Sequence, residues 1–154
     1  MKSATFLKIL SVILFIFALG HTLGTSAPQV RRGPAEAAVF SAMQSYRFPV
    51  MGFTRSYWDF YRGLAITVGI LMFALAAIAW QLALIAQRHG SAALPIAITV
   101  LLACTGMLVI AFEFLFTIPI VFSAVTVVLA GAAVVVLLRR MRRNRSIADE
   151  LPLN

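Results

Sequence analysis

The stretch Gly63–Gln87, GLAITVGILMFALAAIAWQLALIAQ, decides the fold. Its 25 residues contain no Asp, Glu, Lys or Arg. A helix needs about 20 apolar residues to cross the hydrocarbon core of a bilayer. Three further charge-free runs, residues 9–30, 89–112 and 114–138, are 22, 24 and 25 residues long. The whole chain has 154 residues, of which 13 are Lys or Arg and 5 are Asp or Glu. Its apolar share is 62%, against about 45–50% in soluble domains. This pattern excludes a soluble globular domain, a disordered chain and an outer-membrane β-barrel, whose strands alternate in polarity. The fold class predicted is all-α: one membrane-embedded four-helix bundle over residues 1–154, with spans at about 5–25, 57–86, 92–112 and 119–138.

The connections carry their own signals. Lys2 and Lys8 before an apolar run resemble a signal peptide, but Pro28 directly follows the candidate cleavage site, so a retained first helix is expected. Pro28 and Gly33-Pro34 break the chain. After Pro34, residues Ala35, Ala38, Val39, Ala42, Met43 and Tyr46 share one helical face, while Glu36, Gln44 and Arg47 fall elsewhere. That spacing predicts an amphipathic helix over about 35–47, with Pro34 as its first residue and a stop before Pro49. Such a helix lies in the interface or caps the bundle. Pro95 is placed in the first turn of the third span, where it is tolerated. Residues 113–119 read as a tight connection and 139–154 as a polar tail. Small residues, among them Ala65 and Gly69, let helix backbones approach within the bundle.

The net charge of +8 reads as topology and contact with anionic headgroups, not as nucleic-acid binding. Five of the cations lie in Arg139–Arg145, directly after a span. Lys2, Lys8, Arg88 and those five make eight on one side; Arg31, Arg32, Arg47, Arg55 and Arg62 make five on the other. The excess places both termini in the cytoplasm. The single cysteine, Cys104, excludes an internal disulfide and a CxxC redox pair. It reads as a small core residue.

Chemistry-bearing groups near membrane depth are few. On this topology His21, Asp59, Arg62 and Glu113 fall at one, non-cytoplasmic end. Asp59 stands four residues from Arg55 and three from Arg62, so it can pair with either on a helix. It also suits the first turn, where the helix dipole favours a carboxylate. Tyr57, Trp58 and Tyr61 suit the headgroup level. His21, between Gly20 and Gly24, can approach a backbone or a ligand; the bland expectation is a hydrogen bond to Glu113, Asp59 or a tyrosine. The catalytic candidates are His21, Asp59 and Glu113, a set able to move protons on an apolar substrate. No His/Cys/carboxylate spacing resembles a metal site, no nucleotide or hydrolase motif occurs, and no cofactor is expected.

The strings Gly20-His21-Thr22-Leu23-Gly24 and Arg55-Ser56-Tyr57-Trp58-Asp59-Phe60-Tyr61, the latter followed by Gly63, resemble an uncharacterised family of small bacterial four-helix integral membrane proteins. The resemblance covers about residues 10–85 and departs at Arg62, where a small or apolar residue is expected. It implies a bacterial inner-membrane protein and marks His21, Thr22, Tyr57, Trp58, Asp59 and Tyr61 as shared; with Arg62 and Glu113 these are the ligand-binding candidates. The function expected is that of a non-catalytic accessory or scaffold subunit that binds lipid or a membrane-protein partner. The alternative is an enzyme or binder for a small apolar or lipid ligand. A transporter is weaker, because no charge lies mid-membrane.

Overall fold

The structure is a computed structural model that describes residues 2–27 and 33–150. The expected chain break at Pro28, the cations Arg31 and Arg32, the side chain of Arg145 and the last four tail residues lie outside what it describes. Seven elements follow in order: α1 (Lys2–Ser26), α2 (Pro34–Ser45), β1 (Arg47–Val50), β2 (Phe53–Ser56), α3 (Tyr57–Arg88), α4 (Gly90–Phe114) and α5 (Thr117–Glu150). The architecture is all-α apart from one hairpin.

Four helices are long and apolar enough to cross a membrane: Lys2–Ser26, Tyr57–Arg88, Gly90–Phe114 and the Thr117–Asn144 part of α5. Their middles expose large apolar side chains that the chain does not cover, such as Leu102 at 66% and Val128 at 68%. Hydrocarbon is the solvent in which such surface costs nothing. The bounds depart from expectation in three places. The Arg-rich segment after Leu138 is not an irregular tail: α5 continues through it to Glu150, because Arg is a good helix former and nothing breaks the run. The α4–α5 connection shortens to Leu115-Phe116. And α4 starts at Gly90 with His89 as its N-cap, which moves Pro95 past the first turn and removes its N–H from the ladder there.

The chain forms two compact units. The first joins the start of α1 to α4, α5 and the part of α3 from Met72 onward. Its core follows helical spacing: Leu7, Leu10 and Leu14 from α1, Ala79, Ala83 and Ala86 from α3, Ala93, Ala97 and Cys104 from α4, and Ala130, Ala133 and Leu137 from α5. Leucines from one helix pack on alanine faces of the others, so backbones approach closely. Cys104 is fully buried in this core, as its small size suits. The Ser11 hydroxyl donates to the Ala76 carbonyl at 2.7 Å and joins α1 to α3. Lys8 Nζ lies 5.6 Å over the Trp80 ring.

The second unit, Ala18–Leu71, contains a hairpin where the sequence predicts only a polar connection. Helix α2 stops at Ser45, and Tyr46 turns to an extended backbone. Residues 47–56 then form an antiparallel hairpin with Arg47 opposite Ser56, Phe48 opposite Arg55, Pro49 opposite Thr54 and Val50 opposite Phe53. Met51 and Gly52 both have positive φ, 44° and 85°, as a two-residue type I′ turn requires. Hydrogen-bonded and non-bonded pairs alternate from the closing Val50–Phe53 pair. Pro49 therefore falls where its N–H points off the ladder, so proline costs the hairpin no bond.

In the same unit α1 and α3 touch closely. A Cβ added at Gly69 would stand 2.8 Å from Thr22 Oγ1, inside contact distance. The glycines flanking His21 are not the close approach: neither Gly20 nor Gly24 has an atom within 4 Å of where a Cβ would be. Overpacking costs about 1–3 kcal/mol, more than the ~1 kcal/mol that Ala gains over Gly in a helix. Gly69→Ala is expected to lower the thermal midpoint in detergent, and adding Thr22→Ala to restore it. A double-mutant cycle on unfolding checks this; additive effects would show that the two residues do not touch.

Candidate functional site

The polar groups singled out from the sequence divide between the two units. His21, Thr22, Tyr57, Trp58, Asp59, Tyr61 and Arg62 belong to the second; Glu113, exposed one residue before the end of α4, belongs to the first.

His21 sits half-buried in the last two turns of α1. Its Nε2 lies 2.9 Å from the Ala65 carbonyl oxygen. A carbonyl only accepts, so Nε2 carries the proton and Nδ1 is left as the other ring nitrogen. The partner is backbone, where Glu113, Asp59 or a tyrosine was expected. Ala65 is six residues beyond Asp59 on α3, about 9 Å along the axis, which puts the imidazole out of reach of that carboxylate. Thr25 Oγ1 donates back to the carbonyls of His21 at 2.8 Å and Thr22 at 3.3 Å, and so tightens the end of α1. Thr22 Oγ1 is buried without a hydrogen-bond partner.

Asp59 works locally. The Ser56 N–H donates to Asp59 Oδ2 at 2.9 Å, and the Asp59 N–H donates to Ser56 Oγ at 3.2 Å. This reciprocal pair is a capping box in which Asp replaces the usual Glu or Gln. The hairpin register frees the Ser56 N–H for it, because the Arg47–Ser56 pair is a non-bonded one. The expected ion pair with Arg55 or Arg62 does not form: among the described residues no salt bridge involves Asp59. Arg55 instead donates from Nη1 to the Thr54 carbonyl at 3.2 Å and stacks 5.1 Å from the Phe53 ring. Arg62 is exposed.

Rings surround this helix start on two sides. Phe40 of α2 meets Trp58 edge-on at 5.7 Å, and Trp58 stacks on Tyr61 at 5.3 Å. On the other side Tyr46 lies 6.1 Å from Tyr57, and Phe48 lies 4.9 Å from Tyr57 and 6.0 Å from Phe60. Phe40, Phe48 and Phe60 were not among the sequence candidates. Only Phe48 carried a local signal, as an aromatic residue beside Pro49 and close to Met51-Gly52, a turn pair that lacks the familiar Asn-Gly or Asp-Gly lettering.

A second polar feature lies in the first unit, where α3 turns into α4. Arg88, His89, Gly90, Ser91, Arg140, Met141 and Asn144 line an open cavity of about 500 Å³. Arg140 Nη1 donates to the Ala86 carbonyl at 3.1 Å, which fixes one edge of the guanidinium against the end of α3. Two arginines and a histidine face the cavity, and among the described residues no carboxylate does.

No cluster of three or more His, Cys, Asp or Glu that could hold a metal exists among the described residues. Comparison with protein-family models, with curated proteins and with solved structures finds no match. The class rests on the fold alone: an α-helical membrane protein with four helices of membrane-crossing length.

If the Ser56–Asp59 box caps α3, Ser56→Ala should destabilise by about 1 kcal/mol. Asp59→Ala should cost a similar amount, and Asp59→Asn less, since an amide oxygen still accepts from the Ser56 N–H. Circular-dichroism melts in detergent measure the order; equal loss for Asn and Ala would show that charge, not the hydrogen bond, holds the helix start.

Proposed function

We propose that this chain is a multi-pass protein of a bacterial inner membrane, with both termini cytoplasmic, acting as a non-catalytic accessory or scaffold subunit that binds anionic lipid and a membrane-protein partner. One observation carries the reading: two of the three acid–base candidates are engaged with the backbone, and the third, Glu113, stands exposed in the other unit. His21 is bonded to the Ala65 carbonyl and Asp59 to the start of its own helix. The basic cavity at Arg88 and Arg140 supports the lipid half of the proposal, since basic pockets at the cytoplasmic ends of helices receive anionic headgroups. The bacterial assignment and the orientation rest on the cation count and on the resemblance carried by Gly20–Gly24 and Arg55–Tyr61.

Native mass spectrometry of the full chain from mild detergent tests it. Co-isolation with anionic phospholipid or with a second protein is expected, and Arg88→Gln with Arg140→Gln should reduce the retained lipid several-fold. Release as a bare monomer overturns the proposal.

A second reading, a binder of a small apolar ligand at His21, Thr22 and Asp59, is favoured by the unpartnered Thr22 hydroxyl. Its mark is a ligand-induced shift in the His21 ring resonances that Asp59→Asn or Thr22→Val abolishes without loss of folding.

A further inference from the structure

The hairpin tip is the least covered apolar element of the second unit. Residues directly opposite each other, and residues two apart, share a face of a β-ribbon. Phe48, Val50, Phe53 and Arg55 therefore form one face, and Arg47, Pro49, Thr54 and Ser56 the other. The apolar face is covered at its base, where Phe48 meets Tyr57 and Phe60, α2 packs against β2, and Val50 is half-buried. Further out, Phe53 is 62% exposed and Met51 97%. An isolated two-stranded hairpin is marginal in water, so this one needs cover for its outer half.

The ring contacts give its direction. Tyr46 stacks on Tyr57, and two residues on, Phe48 reaches both Tyr57 and Phe60. Advancing along β1 thus advances along α3, toward the charge-free run that starts at Gly63. A hairpin that keeps this course for three more residues, at about 3.3 Å each, would bring Met51 up to ~10 Å further, toward the level of Leu64. Leu64 is itself an exposed apolar residue of α3. The base of the hairpin, with Arg47 and Arg55, stays level with Tyr57 at the mouth of the helix.

The residue at the tip points the same way. Met51 has a positive φ, a conformation in which Asn, Asp or Gly is favoured. A long apolar side chain there has no local conformational reason, and in water its full exposure gains nothing. We propose that Val50–Met51–Gly52–Phe53 is a membrane wedge: the tip seats among lipid acyl chains beside α3, and the guanidinium groups of Arg47 and Arg55 meet lipid phosphates at its base. Arg55 stacked on Phe53 has the stem-in, charge-out posture of an interfacial arginine. The absence of a charged residue at the tip itself suits hydrocarbon better than a polar protein surface. This wedge stands independently of any partner subunit.

Spin labels report the depth directly. Met51→Cys, Phe53→Cys and Thr54→Cys, each in a Cys104→Ala background, are labelled in the full chain and placed in nanodiscs of phosphatidylcholine and phosphatidylglycerol. Power saturation then compares collisions with oxygen, which concentrates in hydrocarbon, and with a polar nickel chelate, which does not. Labels at 51 and 53 are expected to favour oxygen several-fold over the label at 54 on the opposite face. Nickel-favoured labels at both 51 and 53 overturn the proposal, as they place the tip in water. Low access to both reagents at both positions also overturns it, since protein then covers the tip. The two tip positions are independent, so failure of one variant to fold leaves the other decisive.

Discussion

In hydrocarbon, helices gain nothing by hiding apolar surface from one another, since lipid tails accept that surface equally well. What holds this chain together is close backbone approach, and small residues at the contacts permit it. In one unit alanines of α3, α4 and α5 receive the leucines of α1. In the other, Gly69 gives Thr22 the room it occupies, and four residues earlier the Ala65 carbonyl meets His21. The two contacts belong together. The same i to i+4 row of α3 presents a glycine for the hydroxyl and a small residue beside the imidazole. A larger side chain at either position separates the helices and removes the hydrogen bond with the packing.

That constraint reassigns the polar residues. A histidine in an apolar helix invites a catalytic reading, yet its ring proton is held by a main-chain oxygen that already belongs to the ladder of α3. The carboxylate of Asp59 likewise completes a helix start where the chain reverses out of the hairpin. The Ala65 carbonyl satisfies the imidazole N–H, and Asp59 satisfies the Ser56 N–H that the helix start leaves unpaired. Among the described residues, the polar features left are the buried, unpartnered Thr22 hydroxyl in one unit and the arginine-lined cavity in the other.

The membrane-length helices were legible in the sequence because uncharged runs of 22 to 25 residues have few other physical realisations. The hairpin was not. Its strands are four residues each, too short for alternation to register, and Met51-Gly52 with a neighbouring Pro49 reads as loop until the pairing register is known. Asp59 lies in a first turn as its position in the sequence predicts, and the spacing Ser56-x-x-Asp59 also spells a capping box, beside arginines that offer the same carboxylate an ion pair. The partner of His21 was out of reach in principle: periodicity shows which face a residue occupies, not which carbonyl of another helix lies opposite. The helical course of the polar segment after Leu138 was not legible from hydropathy, which marks only where a span ends, although arginine propagates a helix well.

The unbroken run of α5 has a mechanical meaning. Twelve helical residues past Leu138 make a rod of about 18 Å, more than twice the ~8 Å distance over which physiological salt lets a charge be felt. A limp basic tail would lie flat and pin every arginine to the lipid surface. A rod leaving the bilayer at Leu138 along its normal would keep about five residues, with Arg139, Arg140, Arg142 and Arg143, within that distance and carry the remaining turns beyond it. The helical segment up to Glu150 can thereby act as a lever, and a force or a docking event on it would be transmitted along a stiff axis into the alanine-packed helices of the same unit.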